Sequence, residues 1–270
     1  MSNLPKVSFI VPSFNRPKEL QQALYSCKCQ TIEDWEAIVV DDHSDTADLK
    51  HIVSNIADNR IKYFAQSMGK KGEAAARETA IEKASSDIFI TLDSDDLNFP
   101  NRAGRCLELL QGKVPKLIYT RVMHFSELNP SGKAKLLFQP FNPKLLEMYN
   151  FITNPGTAFN RSAYLLAGSF YDHSLRLATD YDQFLRMCFA GVNILAVDEV
   201  HVCYRKHRNA VTSGADKELH NAIMQIRKQH DISPFPLESI GDYALPEIYN
   251  NIKENPRQRR LWTDDRWRKT

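Results

Sequence analysis

The chain predicts an α/β protein: a wound, mostly parallel sheet flanked by helices, with a small antiparallel portion and a C-terminal helical and irregular extension. Three observations carry this prediction. Short apolar runs recur at residues 7–11, 35–40, 61–65 and 88–92, each the length of a strand and too short for a typical helix. Between them lie stretches whose apolar residues fall at helical spacing, and such alternation of strand and helix builds a right-handed parallel sheet. The run at 88–92, Ile-Phe-Ile-Thr-Leu, has no polar face. That suits a strand buried on both sides in the middle of such a sheet.

The elements follow in order. Residues 7–11 are expected to form a strand ended by Pro12, and Ser13-Phe14-Asn15-Arg16-Pro17 then turns the chain. Pro17 suits the first turn of a helix, where its missing N–H leaves no bond unmade. Leu20, Ala23, Leu24 and Cys27 mark that helix's apolar face. A second strand, 35–40, ends in Asp41-Asp42-His43-Ser44, and a helix follows through Leu49, Ile52, Val53 and Ile56. After a third strand at 61–65, the loop 66–72 holds two glycines and two lysines. It leads into an alanine-rich helix, 73–84, that contains Arg77. The central strand comes next, then Pro100 and a helix through Leu110.

From Lys116 the texture changes. Residues 116–125 read as a longer strand, with 136–138 as a pairing partner, and Pro130, Pro140 and Pro143 separate short elements. A turn at 153–156, a strand at 157–159 and a helical piece to Leu166 follow. Thr179-Asp180-Tyr181-Asp182 opens a helix with Phe184, Leu185, Cys188 and Phe189 on its apolar side, and with Arg186. Two strands are expected at 192–197 and 200–204, then the basic run Arg205-Lys206-His207-Arg208-Asn209, then an amphipathic helix over 215–230.

The totals narrow the field. At 270 residues the chain has the length of one large or two small domains. A net charge of +2 gives no global argument for nucleic-acid binding. No apolar run reaches the roughly 18 residues of a membrane span, and the N-terminus shows no signal-peptide core. Five cysteines without metal-ligand spacing are expected as small buried groups in a reducing cytoplasm. The end, 253–270, holds seven basic residues against Glu254, Asp264 and Asp265, with Trp262 and Trp267 interleaved. Both an anionic membrane surface and a packed terminal arm or oligomer contact suit that composition.

The chemistry gathers where the central strand ends. Asp93, Asp95 and Asp96 emerge at the carboxyl end of residues 88–92, the edge at which open α/β sheets bind ligands. Three close negative charges call for a positive partner, and a hard divalent cation prefers oxygen ligands. An acidic turn or helix cap is the alternative, although a cap needs one carboxylate. Asp41 and Asp42 suit hydrogen bonds from a base or ribose, and equally a turn or N-cap. Asp180 is placed to cap its helix. The run 205–209 reads as a solvated turn or as a loop closing over phosphates. No Gly-x-Gly-x-x-Gly follows the first strand and no Gly-Lys-Ser/Thr loop appears, which argues against a dinucleotide-binding domain and a P-loop NTPase.

Together the ordered landmarks resemble family 2 glycosyltransferases, inverting enzymes with the GT-A fold. The resemblance runs from about Val7 to His207. Val-Ser-Phe-Ile-Val-Pro-Ser-Phe-Asn-Arg (7–16) is similar to the family's opening strand and turn, and Val-Asp-Asp-His-Ser (40–44) to its Asp-Asp-x-Ser element. The stretch 72–77 resembles Gly-x-x-x-Ala-Arg-Asn, with Glu78 in the place of Asn. Asp93-Ser94-Asp95 is similar to the Asp-x-Asp motif. Thr179-Asp180 resembles the Glu-Asp pair before a helix ending in Arg186, with Thr179 for Glu, and residues 204–207 match Tyr-Arg-x-His.

The resemblance implies a GT-A domain over 1–210, with a nucleotide-binding half to about 115 and an acceptor half from 116, and an extension over 211–270. It implies a nucleoside diphosphate sugar as donor, UDP first among the carriers, a glycan or glycolipid hydroxyl as acceptor, and Mn²⁺ or Mg²⁺ on the diphosphate. It places Pro12, Phe14, Asn15, Arg16, Asp41, Asp42, Arg77, Asp93, Ser94, Arg205 and His207 around the nucleotide, Asp95 on the metal and Asp180 as general base. A positioned base typically contributes about 100- to 10,000-fold. It implies a cytoplasmic protein, with peripheral contact to the inner membrane face through the tail. Three rivals are weighed. A dehalogenase-type phosphatase is disfavoured by Leu97 two places after Asp95, where Thr or Val is expected. A sugar nucleotidyltransferase is disfavoured because Pro12–Pro17 stands where its Gly-rich, Arg-containing loop belongs. The third is a sugar-nucleotide-binding protein that has lost activity.

Overall fold

The computed structural model describes residues 4–126, 135–169, 175–207, 216–233, 241–246, 250 and 253, and the statements below concern those residues. Nine strands form one mixed sheet: β1 (Val7–Ser13), β2 (Trp35–Asp41), β3 (Ile61–Ala65), β4 (Ile88–Thr91), β5 (Leu97–Asn98), β6 (Lys116–Ser126), β7 (Lys135–Leu137), β8 (Thr157–Asn160) and β9 (Asn193–Lys206). Their order is β3-β2-β1-β4-β8-β6-β9-β5, with β7 paired to β6. β1 to β4, β6 and β9 run one way, while β8, β5 and β7 run against them. The sheet is therefore mostly parallel, with antiparallel strands in its second half.

Period-two alternation divides the core between the two faces. On one face Val7, Phe9, Val11, Trp35, Ala37 and Val39 pack against α1 (Pro17–Lys28), α2 (Leu49–Ile56) and α4 (Arg102–Leu110). On the other, Ile10, Ile38, Val40 and Phe89 meet α3 (Glu73–Lys83), α5 (Pro143–Met148), α6 (Arg161–Ala167), α7 (Thr179–Phe189) and α8 (Asp216–Gln229). β4 is buried along its whole length, with β1 on one side and β8 on the other. Because β1, β2, β4 and β9 share a direction, their carboxyl ends open on one edge.

Several expectations need correction. Pro12 does not end β1 but lies within it. The Ile10 carbonyl accepts from Leu92 N at 3.1 Å on the β4 side, and the Ser13 carbonyl accepts from Asp42 N at 2.9 Å on the β2 side. Pro12, in phase with Ile10, thus faces β4 beyond its last paired rung at Ile10–Thr91, where no N–H is required. The two strands expected at 192–197 and 200–204 are one strand, β9. Thr120 pairs with Val197, Arg121 with Val200 and Val122 with Val202, so Asp198, Glu199 and His201 are taken up as bulges. The bulged carboxylates are paired with Arg121 and Arg105. On α7, Phe189 is 50% exposed, while Tyr181 and Met187 turn inward beside Phe184 and Leu185. Of the cysteines, Cys27 and Cys106 are buried, Cys188 and Cys203 half-buried, and Cys29 exposed.

Candidate active site

Asp95 is the meeting point of three distant segments. Its Oδ2 accepts from Arg16 Nη1, at the turn between β1 and α1, and lies 2.8 Å from His207 Nε2, just past β9. Arg205, the penultimate residue of β9, donates through Nε to the Asp95 carbonyl at 2.7 Å and through its backbone N to Asp96 Oδ1 at 2.8 Å. Its Nη2 reaches Gln22 on α1 at 2.7 Å. Arg205 is buried, so the reading of this run as a solvated turn is wrong at that residue. Arg208 and Asn209 lie outside the described residues. The backbone tightens the acidic lip, with Asp96 N donating to Asp93 O at 3.0 Å, and Ser94 is buried within it.

A second group forms around Arg77, whose side chain is 3% exposed on α3. Its Nη2 donates both to Glu73 Oε1, one helical turn earlier, and to Asp93 Oδ1 at 2.5 Å. Asp180, at the start of α7, lies close enough for Arg77 to act on its charge. The capping role considered for Asp180 is not what the fold uses. Ala178, at φ 57°, holds the N-cap position, and Asp180 is the second helical residue, its Oδ1 accepting from Tyr181 N at 2.8 Å. That leaves a half-buried carboxylate at the rim of the lip.

A third group lies at the end of β2. Asp41 closes a turn through Ser44 N at 2.9 Å and accepts from Tyr63 OH at 2.9 Å. Asp42 accepts from Gly72 N with both oxygens, at 2.9 and 3.0 Å, which anchors the N-terminus of α3 beneath it. Gly72 has φ 102°, a conformation that favours glycine. Pro12 is buried and Phe14 is 48% exposed beside this group's entrance strand. Asn15, at φ 52°, uses its side chain on Asp45 and Thr46 and so braces the turn between β2 and α2.

Burial dominates the electrostatics. It pushes the Asp96 carboxyl well above the usual range, helped by Asp93 and Asp95 and opposed by the Arg205 N–H. Burial also raises Asp180, with Arg77 opposing. Glu73, whose side chain stays part open to solvent, is pushed up to about 6 by partial desolvation, against Arg77, with Asp93, Asp180 and Asp95 adding to the rise. For Arg77, burial works against the charge, but Glu73 and Asp93 outweigh it and hold the group above its ordinary value. Asp42 is raised by burial and relieved by Gly72 N.

Sequence reasoning missed Glu73, Gln22 and Tyr63 as parts of this arrangement. For Glu73 a signal existed: Glu and Arg four residues apart on a helix meet on one face. Gln22 and Tyr63 carried none, because their partners are set by sheet and helix packing.

A wound sheet with its polar groups gathered at one carboxyl edge, closed by the end of a late strand, is the GT-A arrangement. Residues 8–172 match the family model for glycosyl transferase family 2, well over half of the chain, and the chain belongs to that family. It is similar to WcaA of Escherichia coli K12, a glycosyl transferase assigned to colanic acid biosynthesis, with 29% identity over 86% of this chain and 84% of that one. It is 40% identical over 95 residues to the GalNAc(5)-diNAcBac-PP-undecaprenol beta-1,3-glucosyltransferase of Campylobacter jejuni, covering 34% of this chain and 30% of that enzyme. The fold is that of TarS 1-349 of S. aureus in complex with UDP-GlcNAc, with TM-score 0.65 and 16% identity over 83% of this chain and 66% of that one.

Proposed function

We propose that this chain transfers a hexose or N-acetylhexosamine, with inversion, from a UDP-sugar to a hydroxyl of a glycan or glycolipid in surface polysaccharide synthesis. One observation carries the reading: Arg16, Arg205 and His207 converge on Asp95 and Asp96, while Arg77, bound to Asp93, acts on the charge of Asp180. The two guanidinium groups suit a diphosphate, and a carboxylate whose pKa is raised suits a base. The names of the C. jejuni and S. aureus relatives support the lipid-linked acceptor and the UDP-sugar donor.

In this reading Asp180 takes the proton of the acceptor hydroxyl as it attacks the anomeric carbon from the side opposite the diphosphate. Its raised pKa brings it closer to the hydroxyl's proton affinity than an ordinary aspartate, which favours transfer. Arg16, Arg205 and His207 steady the departing diphosphate. Asp41 keeps its turn, and Asp42, whose oxygens retain further lone pairs, accepts from the base or ribose.

The donor set fits a hard divalent cation. Among the described residues no group of three or more His, Cys, Asp or Glu side chains is disposed to hold a metal alone. Asp95 offers Oδ1, its Oδ2 being engaged by Arg16 and His207, and Asp96 Oδ2 is a buried oxygen with no hydrogen-bond partner among the described residues. Such a site suits Mn²⁺ or Mg²⁺ that takes its remaining ligands from phosphate oxygens and water. Bound there, the cation would neutralise charge on the leaving group.

The test is a thermal-shift panel of nucleotides and nucleotide sugars with and without Mn²⁺, followed by transfer assays. A specific ligand at 100 times its Kd adds about 2.7 kcal/mol of stability, an easily read shift. UDP and UDP-sugars should raise Tm more with Mn²⁺ than without it. No shift from any nucleotide, or donor binding with neither hydrolysis nor transfer, would sink the enzyme reading.

A further inference from the structure

Glu73 fills an unspecified position of the 72–77 stretch, yet it is bound to Arg77 of the site. It is the first residue of α3, directly after Gly72, whose N–H is fixed by Asp42. Only its Oε1 is engaged, by Arg77 Nη2; Oε2 carries no hydrogen bond among the described residues. Its side chain keeps 44% of its surface open to solvent, in contrast to the 3% of Arg77. The charged groups that act on it are Arg77 on its own helix, Asp93 and Asp95 on the lip and Asp180 on α7. Bridged to Asp93 through Arg77 Nη2 and part open to solvent, Glu73 is placed to border the space between Asp95 and Asp180.

In a single displacement that space belongs to the donor sugar, since the anomeric carbon lies between the leaving group and the acceptor. The inference thus rests on the transferase reading above and adds to it a residue that selects the donor sugar. We propose that Glu73 is a specificity-determining residue for the donor sugar: Arg77 holds Oε1, Oε2 accepts from a sugar hydroxyl, and the sugar is a neutral one. Two features point to neutrality. The Arg16 and Arg205 guanidinium groups and the His207 imidazole are gathered at Asp95 and Asp96, and among the described residues the cation bound to Glu73 and Asp93 is Arg77. A uronic acid would bring a further carboxylate against those two. Arg77 Nη2 also donates to Asp93 Oδ1, a bond that does not itself involve Glu73.

The experiment compares binding of UDP, UDP-glucose, UDP-GlcNAc and UDP-glucuronate to the full chain by calorimetry with Mn²⁺, for the wild type, Glu73→Gln and Glu73→Ala. A hydrogen bond to a charged group implies that removal weakens a neutral UDP-sugar by about tenfold or more. Expected for Glu73→Gln is that loss for whichever neutral sugar the wild type prefers, UDP affinity within about twofold, and a smaller bias against UDP-glucuronate. Glu73→Gln keeps an acceptor for Arg77, so a wild-type Tm identifies the loss as one of recognition; Glu73→Ala should lose at least as much. Equal weakening of UDP and UDP-sugar in both variants, or no weakening in either, overturns the assignment of Glu73 alone. A wild type that prefers UDP-glucuronate overturns the neutral-sugar class. A wild type that binds none of the four overturns the transferase reading together with this one.

Discussion

At the scale of single residues, Asp180 links chemistry to stability. Its carboxyl is raised by burial in the folded chain, whereas the unfolded chain holds it near 3.9. The folded state therefore binds the proton more tightly, and between the two pKa values stability falls as pH rises. Above both, the partly desolvated charge is a standing cost. Asp180→Asn removes that cost, so its Tm at pH 7 should equal or exceed the wild type's, while the transfer rate drops about 100-fold or more. A variant with near-normal transfer that still binds donor would remove Asp180 as the base. For the wild type, kcat/KM should fall as pH drops through the raised value, since the protonated acid cannot take a proton. Asp95→Ala carries a different expectation: the Mn²⁺-dependent part of the UDP thermal shift should vanish, with the metal-free shift retained. Much of this was legible before the fold was known, because carboxylates crowded after an apolar strand are a chemical signal in themselves. Glu73 was hidden by its ordinary context, an acidic residue in the first turn of a helix.

At the scale of elements, the second half of the site depends on an arginine that never touches it. Arg102, fully buried on α4, donates to Asn98 Oδ1 at 2.6 Å, to Pro155 O at 2.5 Å and to Thr157 O at 3.1 Å. It ties β5 and α4 to the 3-10 turn Asn154–Gly156 and to β8. Arg102→Met fills similar volume but strands two backbone carbonyls, each costing about 1–3 kcal/mol. Urea unfolding should show a loss of about 3 kcal/mol. The same turn approaches β6 closely: a Cβ on Gly156 would meet Val122 Cγ2 at 2.8 Å and Thr120 O at 3.1 Å. Gly156→Ala should lower stability by about 1–3 kcal/mol through overpacking. Neither dependence is visible in the sequence, where 153–156 reads only as a turn and nothing marks Arg102 as buried. The bulges in β9 were hidden for a related reason. Asp198-Glu199 looks like a break between strands, and only the continuous neighbour β6 makes it an irregularity within one.

At the scale of the whole molecule, membrane contact is the open physical question. No described helix is long and apolar enough to cross a membrane, and the basic, Trp-bearing stretch 254–270 lies outside the described residues. If that stretch holds the protein to an anionic surface, each basic residue near the surface contributes about 1 kcal/mol. Deleting 253–270 should then abolish sedimentation with phosphatidylserine vesicles, and raising salt should mimic the deletion. Unchanged sedimentation of the shortened chain would end that idea.

What the sequence determined by itself was local and periodic. Apolar runs without a polar face became the buried strands β1, β2 and β4, helical spacing became α1 to α4, and their alternation became a parallel sheet with acidic groups at its carboxyl edge. Periodicity specifies an element and its inner face because it reports how one segment meets an apolar neighbour. It does not say which neighbour. That Arg16 and His207 reach Asp95 across 79 and 112 residues, that Arg77 serves Glu73 and Asp93 together, and that Asp180 is no cap were decided by crossover and packing. Such contacts form between side chains whose separation along the chain carries no pattern, so only the folded arrangement of strands and helices brings them within a hydrogen bond of one another.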